Sequence, residues 1–199
     1  MKKLLHVGYG PKTLAGIPAR FDPAEWEEVR LGINPAGKPD TVGSTIDMAA
    51  VESASMDAVF SWHNIEHLYP HDVPLALAEF RRVLKPDGFL VVVCPDLQEV
   101  ARLVAEDKLT EAAYTSPAGP IAPLDIIYGH RPAMASGNLF VAHRCGFTMK
   151  VLVGTLKAAG FQAIAVKRRP QAFDMWAIAS PAALDKDQLA GLVGQVLPG

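Results

Sequence analysis

Only two cysteines, Cys94 and Cys145, occur in the 199 residues, far apart and in no CxxC arrangement. That excludes a disulfide framework and a zinc-ribbon pattern. No stretch approaches the roughly 18 consecutive apolar residues of a membrane span. The opening Met1-Lys2-Lys3 is followed by too short an apolar run, ended by His6, for a signal peptide. There is no excess of positive charge: 19 Lys and Arg face 21 Asp and Glu, a net charge of −2. Nucleic acid is therefore not a default partner. No internal repeat, charge block or Ser-rich linker divides the chain. These absences lead us to expect a cytoplasmic protein with neither a membrane nor a nucleic-acid partner.

What is present fits one globular domain over residues 1–199, with 50% hydrophobic and 20% charged residues. Glycine and proline, 16 residues each, suggest long loops. Strands are expected at residues 4–7, 28–33, 41–43, 56–61 and 89–93. The last is a continuous apolar run, as in a strand covered on both faces. Apolar residues at 73, 76, 77, 80, 83 and 84 repeat with helical period, and Pro86-Asp87-Gly88 reads as a stop and turn. Asp96 is placed to cap a helix over 97–107, and Thr148 one over 148–159 that stops at Gly160. Residues 162–167 and 173–179 read as an antiparallel pair, and the tail after Pro181 as a surface helix. Residues 108–146 read as a long irregular segment, which in a compact domain is usually functional.

Alternating strands and helices predict an α/β fold with a mostly parallel sheet and right-handed crossovers. Ligands of such sheets bind beyond the carboxyl ends of the strands, at the topological switch point. Function is therefore expected near residues 8–10, Asn34, Asp47, residues 61–67 and Pro95-Asp96.

The run DAVFSWHNIEHL at residues 57–68, then ALAEFRRVLKPDGF at 76–89 and LVVVCP at 90–95, resembles the class I S-adenosylmethionine-dependent methyltransferases, in the branch that acts on small molecules. The resemblance covers about residues 4–180. It implies a Rossmann-like sheet of the seven-stranded type, with one antiparallel closing strand and helices on both faces. It also implies S-adenosylmethionine as cofactor, S-adenosylhomocysteine as product and a small-molecule acceptor. The first motif of that family, an acid followed by GxGxG, corresponds here to His6-Val-Gly8-Tyr-Gly10-Pro-Lys12. Gly8 and Gly10 match, while His6 and Lys12 replace the acid and the third glycine. Gly32 stands where the family's second strand carries a ribose-binding acid, and Asn34 is a nearby amide. Asp47 and Met48 fall at the adenine-binding position. Trp62, His63 and Asn64 would flank the sulfonium, with His63 as the base. The resemblance thus implies cofactor binding by Gly8, Gly10, Asn34, Asp47, Met48, Trp62, His63 and Asn64.

Two other readings compete. The departures at His6, Lys12 and Gly32 would suit a non-catalytic methyltransferase-like module that binds or regulates a partner. His63-x-x-Glu66-His67 also matches H-x-x-E-H, and His71 extends the spacing, as in a zinc hydrolase. Pro70 interrupts the helix such a motif needs, so no metal is expected. Residues 108–146 are expected to cover the substrate, with Tyr128, His130, Arg131, His143 and Arg144 as charge-assisted donors to it. A second copy of the chain, in a homodimer, would supply the cover that helices before the first strand give other methyltransferases.

Overall fold

The structure, a computed structural model, describes residues 1–8, 21–33 and 35–197. Its main sheet contains β1 (Lys2–Val7), β2 (Trp26–Gly32), β3 (Thr41–Val42), β4 (Met56–Trp62) and β5 (Leu84–Pro95). A small hairpin of β6 (Tyr114–Ser116) and β7 (Gly119–Ile121) stands apart, and β8 (Ala163–Arg169) and β9 (Asp174–Ser180) complete the main sheet. The strand order is β3-β2-β1-β4-β5-β9-β8. Pairing is parallel from β3 through β5, and β9 runs antiparallel to both β5 and β8. The chain thus starts at the middle of the sheet, builds outwards to β3 and returns to β4 on the other side of β1. That reversal opens a crevice at the carboxyl ends of β1 and β4.

The helices are α1 (Val73–Val83), α2 (Leu97–Ala105), α3 (Pro123–Tyr128), α4 (Arg131–Ala135), α5 (Met149–Ala158) and α6 (Lys186–Val196). Successive strand residues face opposite sides, and both sides are apolar. Leu5, Val7, Val59, Leu90 and Val92 pack with Leu77 and Phe80 of α1 and Leu152 and Leu156 of α5. Leu4, Phe60, Val91, Val93 and Trp176 pack on the other side with Val196 of α6. Asp96 caps α2 by accepting from Gln98 N at 3.1 Å, and Thr148 caps α5 by accepting from Val151 N at 3.4 Å. Gly160, at φ +88°, ends the turn after α5.

Two elements differ from expectation. Pro86-Asp87-Gly88 does not precede the strand but interrupts it. Leu84 pairs with Met56 and Phe89 with Ala58, so residues 85–88 loop out of β5. Asp57 fastens the bulge, accepting from Lys85 Nζ at 2.7 Å and from Lys3 N at 2.8 Å. Residues 108–146 hold the β6–β7 hairpin, two short helices and a turn of 3-10 helix at Leu139–Val141. Short-range polar groups organise them. The Asp125 carboxylate accepts from Ala122 N at 3.0 Å and from the Arg131 guanidinium at 2.7 and 3.0 Å. Val100, Ile121 and Ile126 form a small apolar cluster beneath.

Arg82 joins α1 to the loop after β3. It donates to Met48 O at 2.8 Å, Val51 O at 3.0 Å and Ser53 Oγ at 3.0 Å, and it pairs with Glu79 at 2.7 Å. Glu79 in turn accepts from Met48 N at 2.7 Å. Arg82→Ala should lower the unfolding free energy by about 2 kcal/mol, several hydrogen bonds of modest net worth being lost together. In urea melts this is a lower midpoint at unchanged slope.

The Arg131 guanidinium, aided by backbone donors, outweighs burial and holds the Asp125 carboxyl well below the usual carboxylate range. A carboxyl depressed in the folded state stabilises fully above its unfolded pKa of about 3.9, and that stability is lost as pH falls further. Asp125→Asn should therefore lower the urea midpoint at pH 7. Its gap to the parent protein should narrow as the pH is taken below about 4.

Candidate functional site

A cavity of about 430 Å³ lies in the crevice at the carboxyl ends of the first four strands. Gly8 after β1 and Leu31, Gly32 and Ile33 of and after β2 form one wall, with Gly37 nearby. Gly43, Ser44 and Thr45 after β3 form a second. Asn64, His67 and Leu68 after β4 form a third, and Asn138, Phe140 and Arg144 close the fourth side.

Gly8 is required by the closeness of its neighbours. A Cβ there would stand 2.3 Å from Trp62 O and 2.9 Å from Asn64 Cβ, and φ is +71°. Only glycine lets β1 leave the sheet at this angle. Asn64 Oδ1 is buried without a hydrogen-bond partner among the described residues, and Asn64 lines the cavity. An orphaned acceptor beside a glycine cradle, in a space of ordinary ligand-pocket volume, fits S-adenosylmethionine. Gly8, Asn64, Ser44 and Thr45 are the groups that would hold it. No Asp or Glu is among the described lining residues. Gly32 sits at the end of β2, beside Val42 of β3.

The expected cofactor residues divide. Gly8 and Asn64 line the cavity; Gly10, Lys12 and Asn34 lie outside the described residues. Asp47 is exposed and accepts from Ala49 N at 3.3 Å, a local turn. Met48 is not against a ligand space but 1% exposed in the core. Its backbone, not its side chain, makes the polar contacts, to Glu79 and Arg82. Trp62 leans onto Phe60 and Trp176, each at 5.5 Å between ring centroids. Ser44 and Thr45, just before the Ile46-Asp47-Met48 run, take the wall position instead. A hydroxyl pair following a strand and a glycine was the sequence signal for them.

Of the expected substrate residues, Arg144 lines the cavity. Its guanidinium donates to His67 O at 2.6 Å and lies 5.0 Å over the Tyr69 ring. Arg131 is engaged by Asp125, and Tyr128 and His130 do not line the cavity. Tyr128 contributes its carbonyl, which accepts from His143 N at 3.1 Å. Asn138 and Phe140 were not singled out by any pattern.

His63 sits at φ +42°, a left-handed conformation that is strained for a side chain with a Cβ. Its backbone N donates to Val93 O at 2.9 Å, which draws the turn over β5. Its Nδ1 lies 3.0 Å from Glu66 Oε1. Residues 65–67 form a 3-10 turn, so H-x-x-E-H does not lie on the α-helical face a zinc protease uses.

Glu66 is 0% exposed. Burial pushes its carboxyl up, but the hydrogen bond from His63 and the charges of His63, His67 and His143 outweigh that and hold it below the usual range. Its Oε2 has no hydrogen-bond partner among the described residues. A buried unpaired acceptor costs about 1–3 kcal/mol, and more when charged. The Glu66 backbone carbonyl accepts from Arg144 N at 2.8 Å and Cys145 N at 3.2 Å, and Cys145 Sγ donates to Ile65 O at 3.2 Å. Residues 142–145 are thereby clipped to the turn. Burial pushes the Cys145 thiol up to about 11, so it stays protonated at neutral pH.

The family model for the methyltransferase domain matches residues 21–92, from the approach to β2 into β5. No curated protein matches in sequence. Solved structures do match in fold. A protein of Pyrococcus horikoshii superposes with TM-score 0.61 at 16% identity, over 90% of this chain and 82% of its own. A SAM-dependent methyltransferase of Thermotoga maritima gives 0.57 at 15%, over 92% and 83%. One of Archaeoglobus fulgidus gives 0.57 at 13%, over 89% and 85%. Among the described residues no helix is long and apolar enough to cross a membrane. The methyltransferase-domain match thus spans residues 21–92, and the solved neighbours extend the shared fold over 90% and 92% of the chain.

Proposed function

We propose that the chain methylates a small-molecule acceptor in the cavity at the carboxyl ends of β1 and β4. The observation that carries this is the pairing of the Gly8 cradle with the orphaned Asn64 Oδ1 on one cavity wall. The bound cofactor supplies an electrophilic methyl group on a sulfonium. The chain's task is then to position the acceptor in line with it and to remove a proton from it. His63 is the base in this reading, standing one residue before the cavity-lining Asn64 and not itself in the described lining. Its Nδ1–H donates to Glu66, which fixes the ring and leaves Nε2 as the acceptor, and the side chain is 36% exposed at the end of β4.

The rim favours a flat apolar acceptor. Ile33 and Phe140 are each 61% exposed beside the opening. Arg144 adds positive charge there, which suits a phenolate or another anionic group. Residues 138–144 are thus the part of 108–146 that covers the substrate, within a single domain. We place the chain in the cytoplasm, and its near-neutral net charge of −2 gives nucleic acid or an anionic membrane surface little electrostatic hold on it. A second copy of the chain, as a homodimer, belongs to the same proposal.

The absence of a carboxylate from the described lining favours the rival, a module that binds a partner without catalysis. Calorimetric titration with S-adenosylmethionine and S-adenosylhomocysteine separates the two. We expect micromolar binding, weakened about tenfold by Asn64→Ala, the worth of one buried hydrogen bond. Gly32→Asp should tighten it by about tenfold or more through charge-assisted bonds to ribose hydroxyls. Asp47→Ala should change it less than about twofold, a surface substitution being nearly neutral. No binding at millimolar ligand overturns the proposal.

A further inference from the structure

We propose that Glu66, His67 and His143 bind a divalent transition-metal ion of the zinc type beside the acceptor cavity. One ligand atom from each of the three lies within 4.8 Å of the others. The hydrogen bonds around them select the atoms. His67 Nδ1–H donates to Ala142 O at 3.0 Å and His143 Nδ1–H donates to Ile126 O at 2.8 Å. A carbonyl only accepts, so in each neutral ring the proton sits on Nδ1 and the lone pair on Nε2. That backbone bond is the arrangement by which proteins orient a metal-binding imidazole.

The third donor is Glu66 Oε2, on a side chain with 0% exposure and no hydrogen-bond partner among the described residues. Its other oxygen is held by His63. His63 therefore acts behind the carboxylate rather than as a ligand, and the set differs from the H-x-x-E-H reading of the sequence. Bonds of about 2.0–2.1 Å put tetrahedral ligands about 3.3 Å apart, so donor atoms now within 4.8 Å of one another draw together when the ion binds.

Two imidazoles and one carboxylate are the donor set of catalytic zinc sites, which keep a position open. His67 also lines the cavity, which gives an ion its entry path. The acceptor class follows from this and rests on the methyl-transfer reading: an alcohol or phenol whose oxygen takes the open position. Coordination lowers the pKa of that hydroxyl, and its proton passes to His63, the base of that reading. The oxygen lone pair then forms the O–C bond as the C–S bond breaks, its electron pair staying on sulfur.

Tag-free protein stripped with chelator should be titrated with zinc chloride by calorimetry and with cobalt chloride by visible absorption. One equivalent should bind, with cobalt bands of a low-coordinate nitrogen and oxygen site. His143→Ala and Glu66→Gln should bind at least about tenfold more weakly. His71→Ala, at an exposed histidine, should bind as the parent does. No stoichiometric binding, or parental affinity in His143→Ala, overturns the site. If Glu66→Gln fails to fold by circular dichroism, His143→Ala decides alone. Zinc should also raise turnover of a hydroxyl acceptor over the chelated protein; equal turnover overturns the ion's part in the reaction. Binding of S-adenosylmethionine to the chelated protein is measured separately, so that failure of the methyl-transfer reading is distinguishable.

Discussion

A single buried carboxylate gathers the parts of the candidate site. Glu66 follows β4 on a tight turn, and its backbone carbonyl receives the amides of Arg144 and Cys145. Its side chain receives His63. One residue thereby joins the end of β4, the turn after it and a segment nearly 80 positions away. Such a charge tolerates burial only where neighbours compensate it, and breaking a buried pair by removing one partner costs about 3–5 kcal/mol. The hydrogen bond from His63 supplies part of that compensation.

The sheet determines where this cluster stands. β1, β4 and β5 are buried on both faces, so their middles offer nothing to solvent. Chemistry is displaced to the carboxyl ends, where the strand order reverses. There the close approach of Trp62 O to Gly8 sets the floor of the cavity. A methyl-transfer site needs position more than it needs reactive groups, because the electrophile arrives with the cofactor.

Much of this was legible in the sequence, for reasons that differ by element. Helix α1 announced itself by its period, and β5 by its unbroken apolar run. The β8–β9 pair followed from a short separation. The bulge at residues 85–88 was not legible, because Pro-Asp-Gly signals a turn without saying whether a strand resumes its old partner. Nor was the internal order of residues 108–146, where an Asp–Arg pair rather than periodicity shapes two short helices. Asp47 and Met48 were assigned through family resemblance. In the structure the second is core, since its backbone alone faces the polar contacts. His143 joins Glu66 only through tertiary contacts across the chain, so no local spacing revealed it.

The Arg82 network bears on how the loop after β3 moves. Its guanidinium holds two carbonyls of that loop, and Glu79 holds one amide. Both side chains stand on α1, whose other face is in the core. The loop that supplies Ser44 and Thr45 to the cavity is therefore no independent flap. Its protected amide at Met48 exchanges with deuterium only when α1 loosens too, so this wall of the cavity belongs to the slow, cooperative part of the molecule rather than to its fraying edge.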